Sequence, residues 1–429
     1  YRNGPFLDMC EGPHLETTKD VPRGAFTLDR IAGSYWRGDE KNPMLTRIYG
    51  LAFETEEELK DFKERRELAL QRDHRKLGKE LHLFLLDEEV GVGLPLWLPN
   101  GTIVRDELQK WACEEEFKAG YKRVSTPVLT KEELYYRSGH LPHYKDSMYP
   151  PLEVDEGEKY YLRPMNCPHH HKVYDAQMHS YRDLPIRLAE YGNTFRYEKS
   201  GSLSGLLRVR AMCMNDAHIY CEYDQVATEF AAVMDMYRMY YEHLRIGQFR
   251  VRLSLHKAGD DKYVDAEEEW LRSEGIVRDI LNDLGIDFEE EEGEAAFYGP
   301  KIDIQLKNII GREETVSTCQ LDFVMANRFN LSYTDRDGKE QRPYIIHRAP
   351  LSTHERLISF LIESYGGAFP TWMAPVQVKL VPVGDHVLDY ARNIKAKLHQ
   401  AMIRVDIDEG SDTFNKKIRN AVTTKTPNM

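Results

Sequence analysis

Apolar and polar positions change period several times along the 429 residues. From residue 1 to about 54 the chain is turn-rich, with short apolar runs such as AFTLDRIAG and LTRIYGLAF, which predict strands. At Thr55 the pattern becomes TEEELKDFKERRELALQRDHRKLGKEL, charged and free of glycine and proline until Gly78. Thr55 and Glu58 are spaced as a capping box, so one connecting helix is expected over 55–80. Val104, Leu108 and Trp111 fall on one face of a second helix, followed by the strand-like YKRVSTPVL. Gly91-x-Gly93 lacks a third glycine and runs into Pro95, which argues against a dinucleotide loop.

The stretch 187–221 predicts a long hairpin, RLAEYGNTFRYE and LLRVRAMCMNDAHIYC flanking KSGSLSG. Alternation puts Thr194, Arg196 and Glu198 on one face of the first strand, and Arg208, Arg210, Met212 and Met214 on one face of the second. Two readings stay open: a solvated strand face, or arginines holding a buried anion beside a flat ring, as a nucleotide would provide. Residues 225–245 are a Met- and Tyr-rich helix, read as core, and EEEEGE at 289–294 reads as a solvated acidic loop. AFYGPKIDIQLKN and TVSTCQLDFVM add strands to a growing antiparallel sheet. Residues 343–366 predict a strand, a turn and a helix, with Ser352 and Glu355 spaced as a capping box and Arg356 in the first turn. A cation there opposes the helix dipole, an effect that a bound phosphate would reverse. The segment from Val376 alternates strand, helix and strand in the manner of a small α/β module.

The length suggests two to four domains, and 41% hydrophobic with 30% charged residues is the composition of a soluble globular protein. No apolar run approaches the roughly 20 residues of a membrane span. The opening YRNGPFLDMC lacks an initiator Met and a signal pattern, and is expected to lie within a longer domain. Six scattered cysteines favour a reducing compartment, the cytoplasm. The net charge is −13, yet from residue 373 onward nine Lys and Arg face six Asp and Glu, which hints at an anionic partner there. RPMNCPHHH at 163–171 sets one cysteine beside a run of histidines without any CxxC, and suggests a metal whose other ligands are distant or local.

PMNCP at 164–168, FRYE at 195–198, SGSLSGLLRVR at 200–210, NDAHI at 215–219, FYGPKI at 297–302, QLDF at 320–323, IHRA at 346–349 and PTWMAPVQV at 370–378 resemble, in order and spacing, the class II aminoacyl-tRNA synthetases. More closely, they resemble threonyl-tRNA synthetases of bacterial type. Motif 1 looks like the segment ending at Pro127, motif 2 like 187–214 and motif 3 like 347–362. The resemblance implies an α+β fold: an antiparallel sheet flanked by helices over 81–370, the end of an editing domain over 1–54, a linker helix over 55–80 and part of an anticodon-binding α/β module over 371–429. It also implies a homodimer formed through motif 1.

It further implies zinc held by Cys167, His218 and His347, with His169, His170 and His171 as bystanders. Three N/S ligands leave a coordination position open, where threonine's amino and hydroxyl groups could bind and valine, lacking the hydroxyl, could not. Arg196 would hold the α-phosphate, Glu198 the adenine amino group, and Arg210 and Arg356 the outer phosphates of ATP with magnesium, so that catalysis is mainly charge stabilisation. Asp216 would meet the threonine amino group, Met165, Tyr298 and Gln320 would line the pocket, Lys301 would lie near phosphate, and His140 near the acceptor ribose of tRNA. Asp8, Cys10 and His14, in DMCEGPH, would belong to an incomplete editing site for seryl-tRNA.

The chain also departs from the family. AMCMN at 211–215 puts Met212 where relatives stack a phenylalanine on adenine, TVSTCQ at 315–320 is unusual, and Ser352 replaces a customary glycine. The reading is an ATP-dependent ligase joining L-threonine to its tRNA. Its alternatives are a weakened, synthetase-like sensor that binds tRNA or threonine, and a zinc hydrolase, which would lack an evident general base.

Overall fold

The computed structural model describes residues 2–429 apart from 8, 10, 11, 13, 156 and 248, with the backbone alone at 3, 6, 142 and 143. It divides into two compact units, one ending at Gln71 and the other beginning at Arg72. In the first, the expected strands form an antiparallel hairpin, Phe26–Tyr35 with Met44–Ala52. The helix Glu56–Arg72 follows, started by the expected capping box: Glu58 N–H donates to Thr55 Oγ1 at 3.1 Å and Thr55 N–H to Glu58 Oε2 at 3.2 Å.

The single helix expected over 55–80 is in fact two. Asp73 leaves helical geometry, and its carboxylate accepts from Arg75 N–H, capping a new helix His74–Glu80. A short acidic side chain that captures a free amide competes with helix continuation, a signal that hydrophobic periodicity does not carry.

The second unit is built on an eight-stranded sheet. Its strands are β1 Lys122–Arg123, β2 Ile186–Phe195, β3 Ala211–Cys221, β4 Phe249–Leu255, β5 Phe288–Glu292, β6 Lys301–Lys307, β7 Glu313–Asp322 and β8 Tyr344–Ala349, in the order β5-β4-β6-β7-β8-β3-β2-β1. The six central strands are antiparallel, and β5 and β1 join the two edges in parallel. Thus 289–292 belong to an edge strand, where a solvated loop was expected. Its glutamates meet arginines on neighbouring elements: Glu291 lies 2.7 Å from Arg252 and Glu290 2.6 Å from Arg278. Charge alternation along the sequence is silent about partners on other strands.

One face of this sheet carries the core. Ala217, Ile219 and Cys221 of β3, Ile302, Ile304 and Leu306 of β6, and Cys319 and Leu321 of β7 are buried there. Against them packs the helix Val226–Leu244, whose Phe230, Val233, Tyr237, Tyr240, Tyr241 and Leu244 recur at helical spacing. Each large apolar side chain so buried contributes about 1.5–3 kcal/mol. The tyrosines remain compatible with this core because their hydroxyls are bonded: Tyr237 donates to Thr318 O at 2.6 Å and Tyr241 to Ser317 Oγ at 2.5 Å. The helix Pro99–Lys118 contributes Val104 and Leu108, as its periodicity predicted. It also buries Glu116 against Arg348, 2.9 Å apart, with Asn215 Nδ2 donating to the same carboxylate.

Toward the C-terminus, parallel strands Val378–Leu380 and Val405–Ile407 with helices Leu388–Gln400 and Phe414–Thr423 make the expected α/β module. Arg404 ties it to the sheet-bearing core by donating to Trp372 O and Ala374 O and pairing with Glu107.

Candidate functional site

The opposite face of the sheet holds the site, and strand register places its parts. Leu188 pairs with His218, His218 with His347, His347 with Gln320 and Gln320 with Lys301, one row across five strands. Directly opposed residues share a face, so this row and the alternate positions Met212, Met214 and Asp216 of β3 point away from the core. A cavity of about 280 Å³ opens above them.

At one end of the cavity stand Cys167, His218 and His347, all buried, with potential ligand atoms within 4.8 Å of one another. The hydrogen bonds around them set which ring nitrogens are available. His347 Nε2 lies 2.9 Å from Asp322 Oδ2, so it carries the proton and donates. His170 Nε2 likewise donates to Glu190 Oε2 at 3.1 Å, which leaves His170 Nδ1 to accept from His218 Nδ1 at 2.8 Å. The protons so assigned leave lone pairs on His218 Nε2 and His347 Nδ1, two of the buried ring nitrogens that have no hydrogen-bond partner among the described residues. Although burial raises it, hydrogen bonds from His170 and Thr126 hold the Glu190 carboxyl down to about 2. Burial pushes the His218 imidazole well below its ordinary range, and pushes the Cys167 thiol well above its own. Two imidazoles, each with a ring nitrogen not engaged by the protein, and one thiol that a cation would deprotonate suit zinc.

Asp216 lies beside this cluster, its carboxyl raised by burial and held by Asn166 Nδ2 at 3.2 Å. That reach depends on Gly192, where a Cβ would stand 2.5 Å from Asn166 Oδ1. Tyr298 stacks on His347 with ring centroids 4.9 Å apart, and its hydroxyl bonds Gln320. Met165, Tyr298, Gln320 and Asp216 all line the cavity.

The other end is cationic. Arg196 follows β2, and its Nε donates to Pro164 O at 3.3 Å. Arg356 stands in the first turn of the helix His354–Tyr365 and donates to Leu207 O and Thr315 O. Among the described residues neither guanidinium pairs with a carboxylate. Burial and the nearby Arg196 charge hold Arg356 below its usual value, the mark of an uncompensated positive site. Lys301 bonds Asp303, Glu198 bonds Arg208, and Met212 and Met214 supply apolar wall between them. This side of the hairpin is therefore a lined cavity and not a solvated strand face.

Several expected placements differ. Arg208 lines the cavity and Arg210 does not. Arg210 instead lies over the Tyr197 ring and donates to Glu198 O, while its N–H bonds Gly93 O. Strand alternation fails here because β3 begins only at Ala211, after a turn closed by Ser204 and Arg208. His140 is 1% exposed, sits behind Met165 at 3.3 Å, and burial pushes it down to about 3, so it does not reach the cavity wall. His170 is no bystander, since it holds His218. Thr353 caps the helix at 354, its Oγ1 accepting from Arg356 N–H, while Ser352 adopts φ +54°, the conformation that makes glycine customary. Asp8 and Cys10 lie outside the described residues, and His14 is exposed.

Asn166, Glu190 and Asp322 were given no role in the sequence, and Arg208 and His170 were named there only as a strand-face residue and a bystander. Asn166 and Asp322 sit inside quoted motifs and Glu190 inside the motif 2 segment, so motif membership was their available signal.

A sheet of this topology, with an arginine-lined cavity between a hairpin and a helix start, is the core of a class II aminoacyl-tRNA synthetase. Residues 151–365 match the family described as tRNA synthetase class II core domain (G, H, P, S and T). Residues 377–429 match an anticodon binding domain, and 1–49 the threonyl and alanyl tRNA synthetase second additional domain. The chain is 48% identical over its whole length to threonine–tRNA ligases of Streptococcus gordonii and Anoxybacillus flavithermus, spanning 66% and 67% of their lengths. A crystal structure of the RNA binding domain of threonyl-tRNA synthetase from Cryptosporidium parvum superposes with TM-score 0.78 at 36% identity, covering 82% of this chain and 88% of that one. The chain belongs to the threonyl-tRNA synthetase family.

Proposed function

We propose that this chain activates L-threonine with ATP and transfers it to tRNA(Thr), with zinc selecting threonine over valine. The observation that carries the reading is one cavity with a Cys167–His218–His347 cluster at one end and Arg196, Arg208 and Arg356 at the other. Zinc held by those three residues would supply an open coordination site for threonine's amino and hydroxyl groups, which valine could only half fill.

The remaining roles fall to side chains. Asp216 accepts from the substrate ammonium, and Tyr298 and Gln320 close the pocket around the small side chain. Arg196 neutralises the α-phosphate as the threonine carboxylate attacks it, and the P–O bond to pyrophosphate breaks as the mixed anhydride forms. Arg208 and Arg356, with the magnesium that accompanies ATP, hold the departing pyrophosphate. Such a reaction is accelerated by positioning and by fixed positive charge more than by proton transfer, which suits a site rich in arginine. Glu198 and Met212 would receive the adenine, a methionine covering the purine face in place of an aromatic ring.

The C-terminal module, with its local excess of Lys and Arg, would meet tRNA. A homodimer formed through motif 1, the segment ending at Pro127, is proposed with the enzyme. Among the described residues no helix is long and apolar enough to cross a membrane, and a cytoplasmic site of action is proposed with the enzyme.

Threonine-dependent exchange of pyrophosphate into ATP tests the proposal, with valine and serine as rival amino acids and a chelator control. Exchange with threonine and serine, little with valine, and loss on zinc removal is the expected pattern. Absence of exchange with every amino acid, in protein that binds zinc, would sink it.

A further inference from the structure

The nucleotide end of the cavity is walled by a turn, Ser204–Val209, whose Leu207, Arg208 and Val209 face the space. What holds this turn in place is distant in sequence. His74, first residue of the helix His74–Glu80 and 4% exposed, lies under it. Its Nε2 accepts the backbone N–H of Leu206 at 3.1 Å. Its Nδ1 is 2.7 Å from Glu363 Oε1, and its own backbone N–H reaches the same oxygen at 3.3 Å. Because an amide can only donate, Nε2 carries the lone pair and Nδ1 the proton. Gly205 settles directly on the ring: its φ is +51°, and a Cβ there would come within 2.1 Å of Nε2.

Glu363 belongs to the helix that carries Arg356, two turns earlier, and Arg356 Nε in turn donates to Leu207 O at 3.4 Å. A closed circuit results: imidazole to turn, turn to Arg356, Arg356 along its helix to Glu363, and Glu363 back to the imidazole. We propose that His74 is a positioning residue for the nucleotide site. It fixes the turn at its distance from the Arg356 helix, so that Arg208 and Arg356 stand ready for the outer phosphates of ATP. The proposal rests on the reading that this end of the cavity takes ATP.

The test uses the full chain loaded with zinc and measures MgATP binding by calorimetry, alongside KM for ATP and for threonine in pyrophosphate exchange. His74→Ala removes both bonds and is expected to weaken MgATP roughly tenfold, the effect of losing a buried hydrogen bond. KM for threonine and zinc content are expected to stay at wild-type values. His74→Gln, whose amide oxygen can still accept from Leu206, is expected to recover most of the loss. If His74→Ala does not fold, Gly205→Ala is the second variant: it pushes the turn off the ring and is expected to raise KM for ATP selectively. Unchanged MgATP affinity in these variants, or equal losses for ATP and threonine, overturns the positioning role while leaving the enzymatic reading intact. Failure of the wild-type chain to bind MgATP overturns both.

Discussion

His218 and His347 are direct partners across two antiparallel strands, their rings 4.5 Å apart at an interplanar angle of 80°. They are 129 positions apart in the chain. Each has one ring nitrogen engaged by a neighbour, His170 for one and Asp322 for the other, and each keeps a lone pair on the remaining nitrogen. The pair is thus set for a cation by hydrogen bonds that lie behind it.

That arrangement predicts graded metal loss. His170→Ala leaves all three ligands but frees the His218 ring, and should weaken zinc roughly 10–100-fold, as removal of an outer partner does. Cys167→Ser should weaken it further. Competition against a chromophoric chelator measures both, and equal zinc affinity in His170→Ala and the unmodified protein would refute the role given to His170.

Arg208 lines the cavity whereas Arg210 lies over Tyr197. Arg208→Ala should therefore raise KM for ATP roughly 10–100-fold, the range for a lost charged hydrogen bond of about 1.5–3 kcal/mol. Arg210→Ala should act mainly through the packing of the hairpin loop, with a smaller change in KM. Pyrophosphate-exchange kinetics of the two variants decide the order.

Ser352 holds φ +54° at the entry to the Arg356 helix, and its carbonyl accepts from Asn215 N–H at 2.9 Å. A β-branched side chain is strained in that conformation, so Ser352→Val should cost about 2 kcal/mol. Ser352→Gly relieves strain but loosens the unfolded chain, and should stay within about 1 kcal/mol of the original. Urea denaturation of both variants checks the difference.

His354 is buried, stacked on Tyr191 at 5.0 Å, and accepts from Arg105 Nε on its Nδ1. Burial, then the Arg105 charge, pushes it down to about 3. A histidine with a lowered folded-state value takes up its proton only on unfolding, so its neutral form costs nothing above about pH 6.5 and progressively destabilises the fold below it. Between pH 6.5 and 5.5 the loss should be about 1 kcal/mol, continuing toward pH 3. His354→Gln should flatten the fall of Tm over that window. A slope identical to that of the unmodified protein would count against the assignment.

Much of the fold was legible in local pattern. The hairpin at 187–221, the tyrosine-rich helix and the terminal α/β module follow from periods of 2 and 3.6 and from their turn residues. Where pattern misled, an interaction that periodicity does not record had decided: Asp73 capturing an amide, Ser352 taking a left-handed turn, the exposed glutamates of β5 pairing with arginines of neighbouring elements. Arg210 was misplaced because a turn precedes β3 and resets the alternation on which the expectation rested.

The amino-acid sequence by itself determined the family, the side chains available for chemistry and the face of each strand that could carry them, because periodicity and motif spacing are properties of neighbouring residues. Only the tertiary structure decided which of those side chains meet. The row from His218 through His347 and Gln320 to Lys301 depends on register between strands, the choice of Arg208 over Arg210 on the turn that precedes β3, and the support of the nucleotide turn by His74 on a contact across 132 residues. Such contacts arise from packing of the whole sheet against its helices, and no local pattern encodes them.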